Sequence, residues 1–166
     1  MFKNNPMNKQ LPASLNNYIH CLNEDHDQYS NPVVETGKIN FATSSDIYNA
    51  IFENSFHAVY ISAVSGRILR FNKKLCKIFG YTRNEMISIE ALQLFDIYED
   101  GFNDFINKRI EKGIAKAEVT AIKKSGETFP CRISSVFYKS DYGENRLMNT
   151  LVDISDNLAS RWDITG

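Results

Sequence analysis

The spacing of apolar residues changes three times between residues 46 and 156, and this change constrains the fold more than any other feature of the chain. Apolar residues recur at helical intervals near residues 47–52 and 102–110. They recur at every second position in strand-like segments within residues 57–71 and after residue 115. The resulting order is a helix, two strands, a cluster of short helices, a longer helix and three strands. This order predicts an α+β domain with a five-stranded antiparallel sheet and helices on one face.

Residues that favour helix ends frame the predicted helices. Ser44, Ser45 and Asp46 accept the free amide hydrogens of a first helix, which extends to about Asn54. Asn72 caps a second helix, and Thr82 caps a third with Glu85 completing a capping box. The predicted helices cover residues 44–54, 73–79 (ended by Gly80), a short turn after Thr82, and 101–112 (ended by Gly113).

Turn residues separate five predicted strands. The strands cover residues 57–63, 67–71, 115–121, 129–137 and 147–154, with turns at Ser65-Gly66, Ser125-Gly126 and residues 141–144. In the last strand Leu151, Val152 and Ile154 are nearly contiguous apolar residues. Strands covered on both faces have this pattern, so we predict that the last strand lies at the centre of the sheet.

Composition changes at both ends of this domain. Residues 1–43 are rich in Asn, Asp, Gln, Ser and Pro, and Pro6, Pro12 and Pro32 interrupt every apolar period. This composition predicts a flexible N-terminal arm, followed by one domain over residues 44–156 and a C-terminal linker over residues 157–166.

Charge and cysteine content exclude several classes of protein. The formal net charge of −1 argues against a dedicated nucleic-acid surface, and no apolar run approaches the roughly 18–20 residues of a membrane span. Three cysteines at wide spacing are not a disulfide framework, and no secretory signal opens the chain. We therefore predict a cytoplasmic protein that contacts neither nucleic acid nor membrane. No nucleophile elbow, phosphate-binding loop or His-Glu-x-x-His motif occurs, so we predict no enzymatic activity.

Five short motifs occur in a fixed order between residues 46 and 156. They are the runs 51–62 (IFENSFHAVYIS), 65–72 (SGRILRFN), 79–86 (FGYTRNEM), 124–130 (KSGETFP) and 152–155 (VDIS). Together they resemble a PAS domain, a sensory module found in bacterial sensor kinases. The resemblance implies the sheet order 2-1-5-4-3, and it implies that Asp153 lies at the junction through which a signal leaves the domain.

The residues found in cofactor-binding relatives are missing from this chain. Haem-binding PAS domains supply a histidine near the helix before the third strand, and residues 101–112 contain none. Light-sensing relatives carry a reactive cysteine in a region that corresponds to residues 87–94, where this chain has none. His20, Cys21, Asp25, His26 and Asp27 lack the spacing and apolar support of a zinc site. We expect no cofactor and no metal.

A candidate ligand pocket lies between the helices and the sheet. If the strand alternation holds, ten side chains point into it: Ile61, Phe71, Leu75, Phe79, Phe105, Ile110, Val119, Phe129, Ile133 and Leu151. They either fill an ordinary close-packed core or surround a small apolar ligand.

The opposite face of the sheet carries a second apolar set. Tyr60, Val136, Tyr138, Met148 and Val152 alternate out of phase with the first set and form an outer stripe. Monomers rarely leave such a patch bare. We expect the first helix to cover it through Ile47, Tyr48, Ile51 and Phe52, either from the same chain or from a dimer partner.

Three functions remain in competition at this point. The first is a PAS sensor that passes a ligand- or partner-induced change to an output domain, such as a histidine kinase or another two-component protein. The second is a ligand-free module for protein–protein interaction or dimerisation. The third, which the missing residues disfavour, is a haem or flavin sensor. The expected partners are a second copy of the chain or a signalling protein.

Overall fold

The computed structural model describes residues 41–156. The helices are α1 (Phe41–Asn54), α2 (Lys73–Phe79), α3 (Arg83–Met86) and α4 (Asp100–Lys112), with a 3₁₀ turn at Ala91–Leu94. The strands are β1 (Ala58–Ala63), β2 (Ile68–Phe71), β3 (Ile114–Ile122), β4 (Thr128–Lys139) and β5 (Asn145–Asp153). Most of the predicted arm and the whole predicted linker lie outside the described residues.

The five strands form one antiparallel sheet in the order β2-β1-β5-β4-β3. The predicted fold class and strand order are therefore confirmed. β5 pairs with both β1 and β4, which gives it the central position expected from its apolar residues. In the strand pairs, Ile133 lies opposite Leu151 and Tyr60 lies opposite Asn149. β5 therefore links the β2-β1 pair to the β4-β3 pair.

Local capping accounts for several helix ends. The Asn72 side chain accepts a hydrogen bond from the Leu75 amide at the start of α2, and the Thr82–Glu85 capping box opens α3. Gly113 ends α4 with φ of 70°, a backbone conformation that other residues reach only with strain. These predictions are confirmed.

The first helix begins earlier than predicted. We expected it to start at Ser44-Ser45-Asp46, whereas α1 begins at Phe41. Serine and threonine at helix interiors lower helix stability by less than about 0.7 kcal/mol each, so a run of cap-type residues does not force a helix to begin there.

The helices after β2 cover one face of the sheet and enclose the core. Phe79, Phe95, Phe102, Phe105 and Phe129 form a connected aromatic group, with ring centroids 5.4–6.5 Å apart. Two small strand residues, Ala115 and Ala121, are also buried, and Ala121 forms an isolated β-bridge with Phe95. In the described part of the chain, no helix combines the length and the apolar character needed to cross a membrane.

The phase predicted for β1 is wrong by one residue. Tyr60 was expected on the outer face and Ile61 in the core, but Tyr60 is 2% exposed and belongs to the core cluster. Ile61 pairs with Met148 and Arg70 on the opposite face. Both residues are large and apolar, so composition does not fix the phase. Pairing with strands distant in sequence fixes it, because Tyr60 lies opposite Phe71 and Asn149, and Ile61 lies opposite Arg70 and Met148.

Candidate functional site

A small cavity lies between the inner face of the sheet and the helical layer. Its volume is about 20 Å³, which is room for one water-sized group. Most of its wall is apolar and comes from the 3₁₀ turn, α4, β1, β4 and β5: Tyr60, Ala91, Leu92, Phe95, Phe102, Phe105, Ile106, Ile133 and Leu147. Gly66 and three polar side chains, described next, complete the wall.

The polar part of the wall consists of Ser62, Asn149 and Arg109. Asn149 Nδ2 donates to Ser62 Oγ at 3.4 Å and to the Leu147 carbonyl oxygen at 3.3 Å. The Arg109 guanidinium lies 5.4 Å from the centre of the Phe105 ring, and its Nη1 donates to Ser135 Oγ at 3.5 Å. These three residues and Ser135 are all buried, and Arg109, the most exposed of them, is only 9% exposed. A positive charge therefore borders an otherwise largely apolar cavity.

The amide oxygen of Asn149 distinguishes this cavity from ordinary packing. Asn149 is 1% exposed, and within the described residues nothing donates a hydrogen bond to its Oδ1. We call this atom the open acceptor. Burying a carbonyl oxygen without a donor is unfavourable, and such groups in native structures usually have a partner from solvent or a ligand. The open acceptor therefore marks the cavity as a place where a hydrogen-bond donor binds well.

Two of the ten residues predicted to line the pocket do line the cavity, namely Phe105 and Ile133. Six others are buried in the surrounding core without reaching it: Phe71, Leu75, Phe79, Val119, Phe129 and Leu151. Ile110 packs partly buried against the core, and Ile61 lies on the outer face.

The apolar pattern of the sequence does not predict the three polar lining residues. A signal was present for each of them. Arg109 falls on the buried stripe of α4, seven residues after Phe102 and four after Phe105. Asn149 lies between Leu147 and Leu151 in the buried phase of β5. Polar residues at positions where the period demands an apolar one point to a cavity.

A second buried asparagine joins three elements at the other end of β1. Asn72 Oδ1 accepts hydrogen bonds from the Val59 and Leu75 amides, and Nδ2 donates to the Phe52 and His57 carbonyl oxygens, all at 2.9–3.1 Å. The side chain is fully buried. Because its amide oxygen and its amide nitrogen each make two hydrogen bonds, Asn72 fixes α1, β1 and α2 relative to one another.

The helix α1 lies beside the outer face of the sheet. The Arg70 guanidinium lies 4.9 Å from the Tyr48 ring centre and 4.7 Å from that of Phe52, and it donates to Asn49 Oδ1. These contacts are made within one chain. Ile47 and Ile51, which we expected in the same contact, are 56% and 67% exposed.

The outer stripe itself is partly covered. Val136 and Met148 are Cα partners on β4 and β5, and Met148 is exposed whereas Val136, Tyr138 and Val152 are half-buried. Burial, followed by the neighbouring Tyr48, raises the pKa of Tyr138. Its hydroxyl, which is protonated at neutral pH even at the ordinary tyrosine pKa of about 10, presents a hydrogen-bonding group on this face.

Asp153 ends β5, where we expected the exit from the domain. Its Oδ1 accepts hydrogen bonds from the Ser155 amide at 2.9 Å and from Ser155 Oγ at 2.6 Å. The next residue, Ile154, is buried and its amide donates to the Pro130 carbonyl oxygen at 3.1 Å. The carboxylate thus turns the chain as it leaves the sheet.

Neither described cysteine has the environment of a reactive thiol. Burial, reinforced by Glu99 and Asp153, raises the pKa of Cys131 to about 12. Burial also raises the pKa of Cys76, against the opposing effect of Arg83. Thiols with raised pKa values carry little thiolate at neutral pH and are poor nucleophiles.

A family model described as a PAS domain matches residues 57–156. A relative from Azorhizobium caulinodans, described as an uncharacterized protein, is 29% identical over 126 residues. That match covers 68% of this chain but only 16% of the relative, so this chain corresponds to a small part of a much longer protein.

Two solved structures illustrate the likeness in fold. A domain of a sensory box sensor histidine kinase/response regulator from Geobacter sulfurreducens is 21% identical, with a TM-score of 0.58, and the match covers 70% of this chain and all of that one. A light-oxygen-voltage domain studied with a flavin analogue is 15% identical, with a TM-score of 0.57, and the match covers 75% of this chain and 96% of that one.

Proposed function

This chain belongs to the PAS domain family, and from that premise we propose that it is a cytoplasmic sensor module of a signalling pathway. In this proposal residues 44–156 are the sensing domain, and the cavity beside Asn149 receives a small molecule. The output is a histidine kinase or another two-component protein, either in the same longer chain or as a separate partner. The chain itself carries out no catalysis.

The open acceptor is the observation that carries the proposal. A core whose only task is packing gains nothing from a buried carbonyl oxygen that lacks a donor. A site that exchanges a ligand needs such a group, because its hydrogen bond forms when the ligand arrives. The bordering apolar side chains, including Phe105 and Ile133 from our predicted pocket, supply the surface that excludes water.

Strand β5 supplies the route from the cavity to the exit. Leu147 and Asn149 line the cavity, and the same strand ends at Asp153. A ligand that binds one packing of α4 against the sheet more tightly than another shifts the population towards that packing. The shift reaches the turn made by Asp153 and Ser155 through a continuous hydrogen-bonded strand, and from there it reaches the output. A domain of a sensory box sensor histidine kinase/response regulator among the solved neighbours supports this kind of partner.

A flavin or haem does not fit the residues present. Five phenylalanine rings pack against one another in the core, and the cavity beside them is about 20 Å³, far smaller than a large planar cofactor. Residues 87–94 contain no cysteine, and α4 contains no histidine. We therefore derive no step through either cofactor and propose a small ligand in its place.

A second function, dimerisation without a ligand, is favoured by one specific observation. Ile47 and Ile51 lie one turn apart on α1 and are largely exposed, and Met148 is exposed on the outer face. A second copy of the chain covering these residues, together with Tyr48, Phe52, Val136, Tyr138 and Val152 at its margin, is the alternative that the test must separate from sensing.

The test compares two substitutions in the full chain. Ala91→Phe places a ring in the cavity wall, whereas Ala63→Phe places the same ring on the outer face of β1. We screen a library of small metabolites for compounds that raise the melting temperature, and we follow hydrogen exchange in residues 147–156. Sedimentation gives the oligomeric state of each sample.

Sensing predicts compounds that stabilise the wild type and Ala63→Phe but not Ala91→Phe, and that slow exchange around Asp153. A dimer that no compound stabilises, and that Ala63→Phe dissociates, contradicts sensing and supports the second function.

A further inference from the structure

We propose that residues 24–27 (EDHD), the acidic run of the N-terminal segment, bind in a groove bordered by lysines on the surface of this domain. The groove lies between the end of α2 and the turn that joins β3 to β4, and it shares no lining residue with the cavity beside Asn149. The inference goes beyond the proposed function and stands whether or not that cavity receives a ligand.

The groove has an open volume of about 410 Å³, and its sides carry Lys77, Lys123 and Lys124. We call it the lysine groove. The Lys124 amide donates to the Phe79 carbonyl oxygen at 2.9 Å, which joins the turn to the end of α2. The Gly126 amide donates to the Lys123 carbonyl oxygen, also at 2.9 Å, and closes the turn. Because backbone hydrogen bonds hold both sides, the groove is formed before any partner binds.

Positive charge is concentrated around the lysine groove. The sequence of α2, KKLCKIF, contains no acidic residue, and its helical spacing places Lys73, Lys74 and Lys77 within one arc of about 100°. Lys123 and Lys124 come from the opposite side of the groove. Five lysines thus meet only the two glutamates described next, so this surface attracts anions, although the whole chain has a formal net charge of −1.

The lysines can bind a further anion. Lys123 pairs with Glu127 at 2.7 Å and Lys124 pairs with Glu85 at 2.6 Å, and each contact uses one of the three donors of an ammonium group. Both pairs reach solvent, where such contacts contribute little to stability and exchange readily. Lys77 is exposed, and within residues 41–156 its ammonium makes no hydrogen bond or ion pair.

The chain itself supplies a segment of the opposite charge. The acidic run places Glu24, Asp25 and Asp27 within four residues, and residues 10–37 contain no lysine or arginine. This run lies outside the described residues. Its carboxylates lack the spacing of a zinc site, but ion pairs with exposed lysines need no fixed coordination geometry. Three carboxylates therefore match the three lysines of the groove in number and in sign.

The length of chain between the two partners is sufficient. Phe41, where α1 begins, follows Asp27 by fourteen positions, and an extended segment of that length spans up to roughly 46 Å. The end of α1 contacts the start of α2, because Lys73 Nζ donates to Asn54 Oδ1 at 3.0 Å. The two helices are about 20 Å and about 10 Å long, so the segment reaches past both of them laid end to end.

The connection also strengthens weak contacts. A tether of this kind gives the acidic run an effective concentration of about 1 mM at the groove. Exposed ion pairs, each of small energy, then suffice for binding, and the bound run screens the lysines from other anions.

The experiment places a nitroxide on Cys21, three residues before Glu24, in the full chain with Cys76→Ser. Burial keeps Cys131 out of the labelling reaction. The measurement is the paramagnetic relaxation of the amides of Gly126 and Gly143. These two exposed turn glycines lie at opposite ends of β4, whose twelve residues span about 40 Å, and only Gly126 is next to the groove.

The proposal predicts strong relaxation at Gly126 and weak relaxation at Gly143. Lys77→Gln/Lys124→Gln should lower the ratio of bound to unbound segment roughly fivefold, because each exposed ion pair contributes a factor of about two. Lys108→Gln/Lys112→Gln, the matched control, removes the same charge from exposed positions of α4 and should leave the ratio unchanged.

Three results would overturn the proposal. The first is equal relaxation of the two glycines, and the second is a preference for Gly126 that survives Lys77→Gln/Lys124→Gln. The third comes from a mixture of nitroxide-labelled chains with isotope-labelled chains that carry no nitroxide. Relaxation of Gly126 that is as strong in this mixture as within one chain would identify a second copy as the occupant.

Discussion

Two buried asparagines define two regions of this domain with opposite characters. Around Asn72, α1, β1 and α2 meet on a side chain whose oxygen and nitrogen each make two hydrogen bonds. Around Asn149, two longer hydrogen bonds hold the nitrogen, and the open acceptor borders a cavity. The residue type and the burial are the same, so the difference lies in what surrounds each amide.

The comparison separates a structural polar group from a receptive one. A fully paired buried amide stabilises a single arrangement, because removing it leaves several partners unsatisfied at once. A partly paired amide lowers the stability of the empty domain and recovers that free energy when a donor binds. The region around Asn72 therefore sets the fold, and the region around Asn149 sets the response. Four changes break or sharpen this contrast.

The largest expected effect comes from Asn72→Ala. It removes four hydrogen bonds, one of which is the N-cap of α2, so we expect the free energy of unfolding to fall by about 4 kcal/mol, measured by urea denaturation. Asn72→Asp keeps the two accepted hydrogen bonds but places a buried carboxylate oxygen against the Phe52 and His57 carbonyl oxygens, so its loss should be at least as large. A loss below about 1.5 kcal/mol for Asn72→Ala would remove the distinction between the regions.

The rates at which the two described cysteines react with a thiol reagent show how readily the region around each one opens to solvent. Cys76 lies one turn after Asn72 and is half-buried, whereas Cys131 is buried two residues before Ile133 of the cavity wall. Raised pKa values lower thiolate content, and with a pKa of about 12 only about one Cys131 thiol in ten thousand is ionised at pH 8. With Cys21 replaced by serine, we expect Ellman's reagent to modify Cys76 at least about 100-fold faster.

Cys76→Ser identifies the two phases of that reaction, because it should abolish the fast one. The slow phase should accelerate about tenfold per pH unit until the pKa is approached, since each unit raises the thiolate fraction tenfold. Equal rates for the two thiols would show that the core opens as often as the helix does.

A smaller effect is expected from Arg70→Ala, which loosens α1 without touching Asn72. The guanidinium contacts the Tyr48 and Phe52 rings and donates to Asn49, so its loss should lower the free energy of unfolding by about 1 kcal/mol and speed hydrogen exchange in α1. Arg132→Ala removes an exposed ion pair with Glu118 and should change stability by less than about 0.5 kcal/mol. If Arg70→Ala and Arg132→Ala lowered the free energy of unfolding equally, α1 would not belong to the region that stabilises the fold around Asn72.

The smallest effect is expected from Asn149→Leu. Two hydrogen bonds are lost, but the buried open acceptor is removed with them, so the free energy of unfolding should change by about 1 kcal/mol or less in either direction. A loss as large as that of Asn72→Ala, measured in the same urea series, would mean that Asn149 is structural.

Features that depend on near neighbours were predictable from the sequence. The order of elements follows from the apolar period, and the ends at Asn72, Thr82 and Gly113 follow from contacts within four residues. The central position of β5 was predictable from its nearly contiguous apolar residues, of which Leu151 and Ile154 are buried in the structure. These are short-range or compositional signals, and the structure confirms them.

Features that depend on distant partners were not predictable in the same way. Tyr60 and Ile61 are both large side chains that strands favour, and their faces are decided by pairing with Phe71, Asn149 and Met148 across two other strands. The cavity was placed near the right elements but assigned to apolar residues alone. Its polar wall consists of Ser62, Arg109 and Asn149, which come together only through the tertiary fold.

The most direct measurement of the central claim is an atomic-resolution crystal structure of the full chain. The account predicts density for an occupant of the cavity, with a donor atom about 2.8 Å from Asn149 Oδ1. It is contradicted by an empty cavity with the Asn149 amide turned so that its oxygen accepts from the protein.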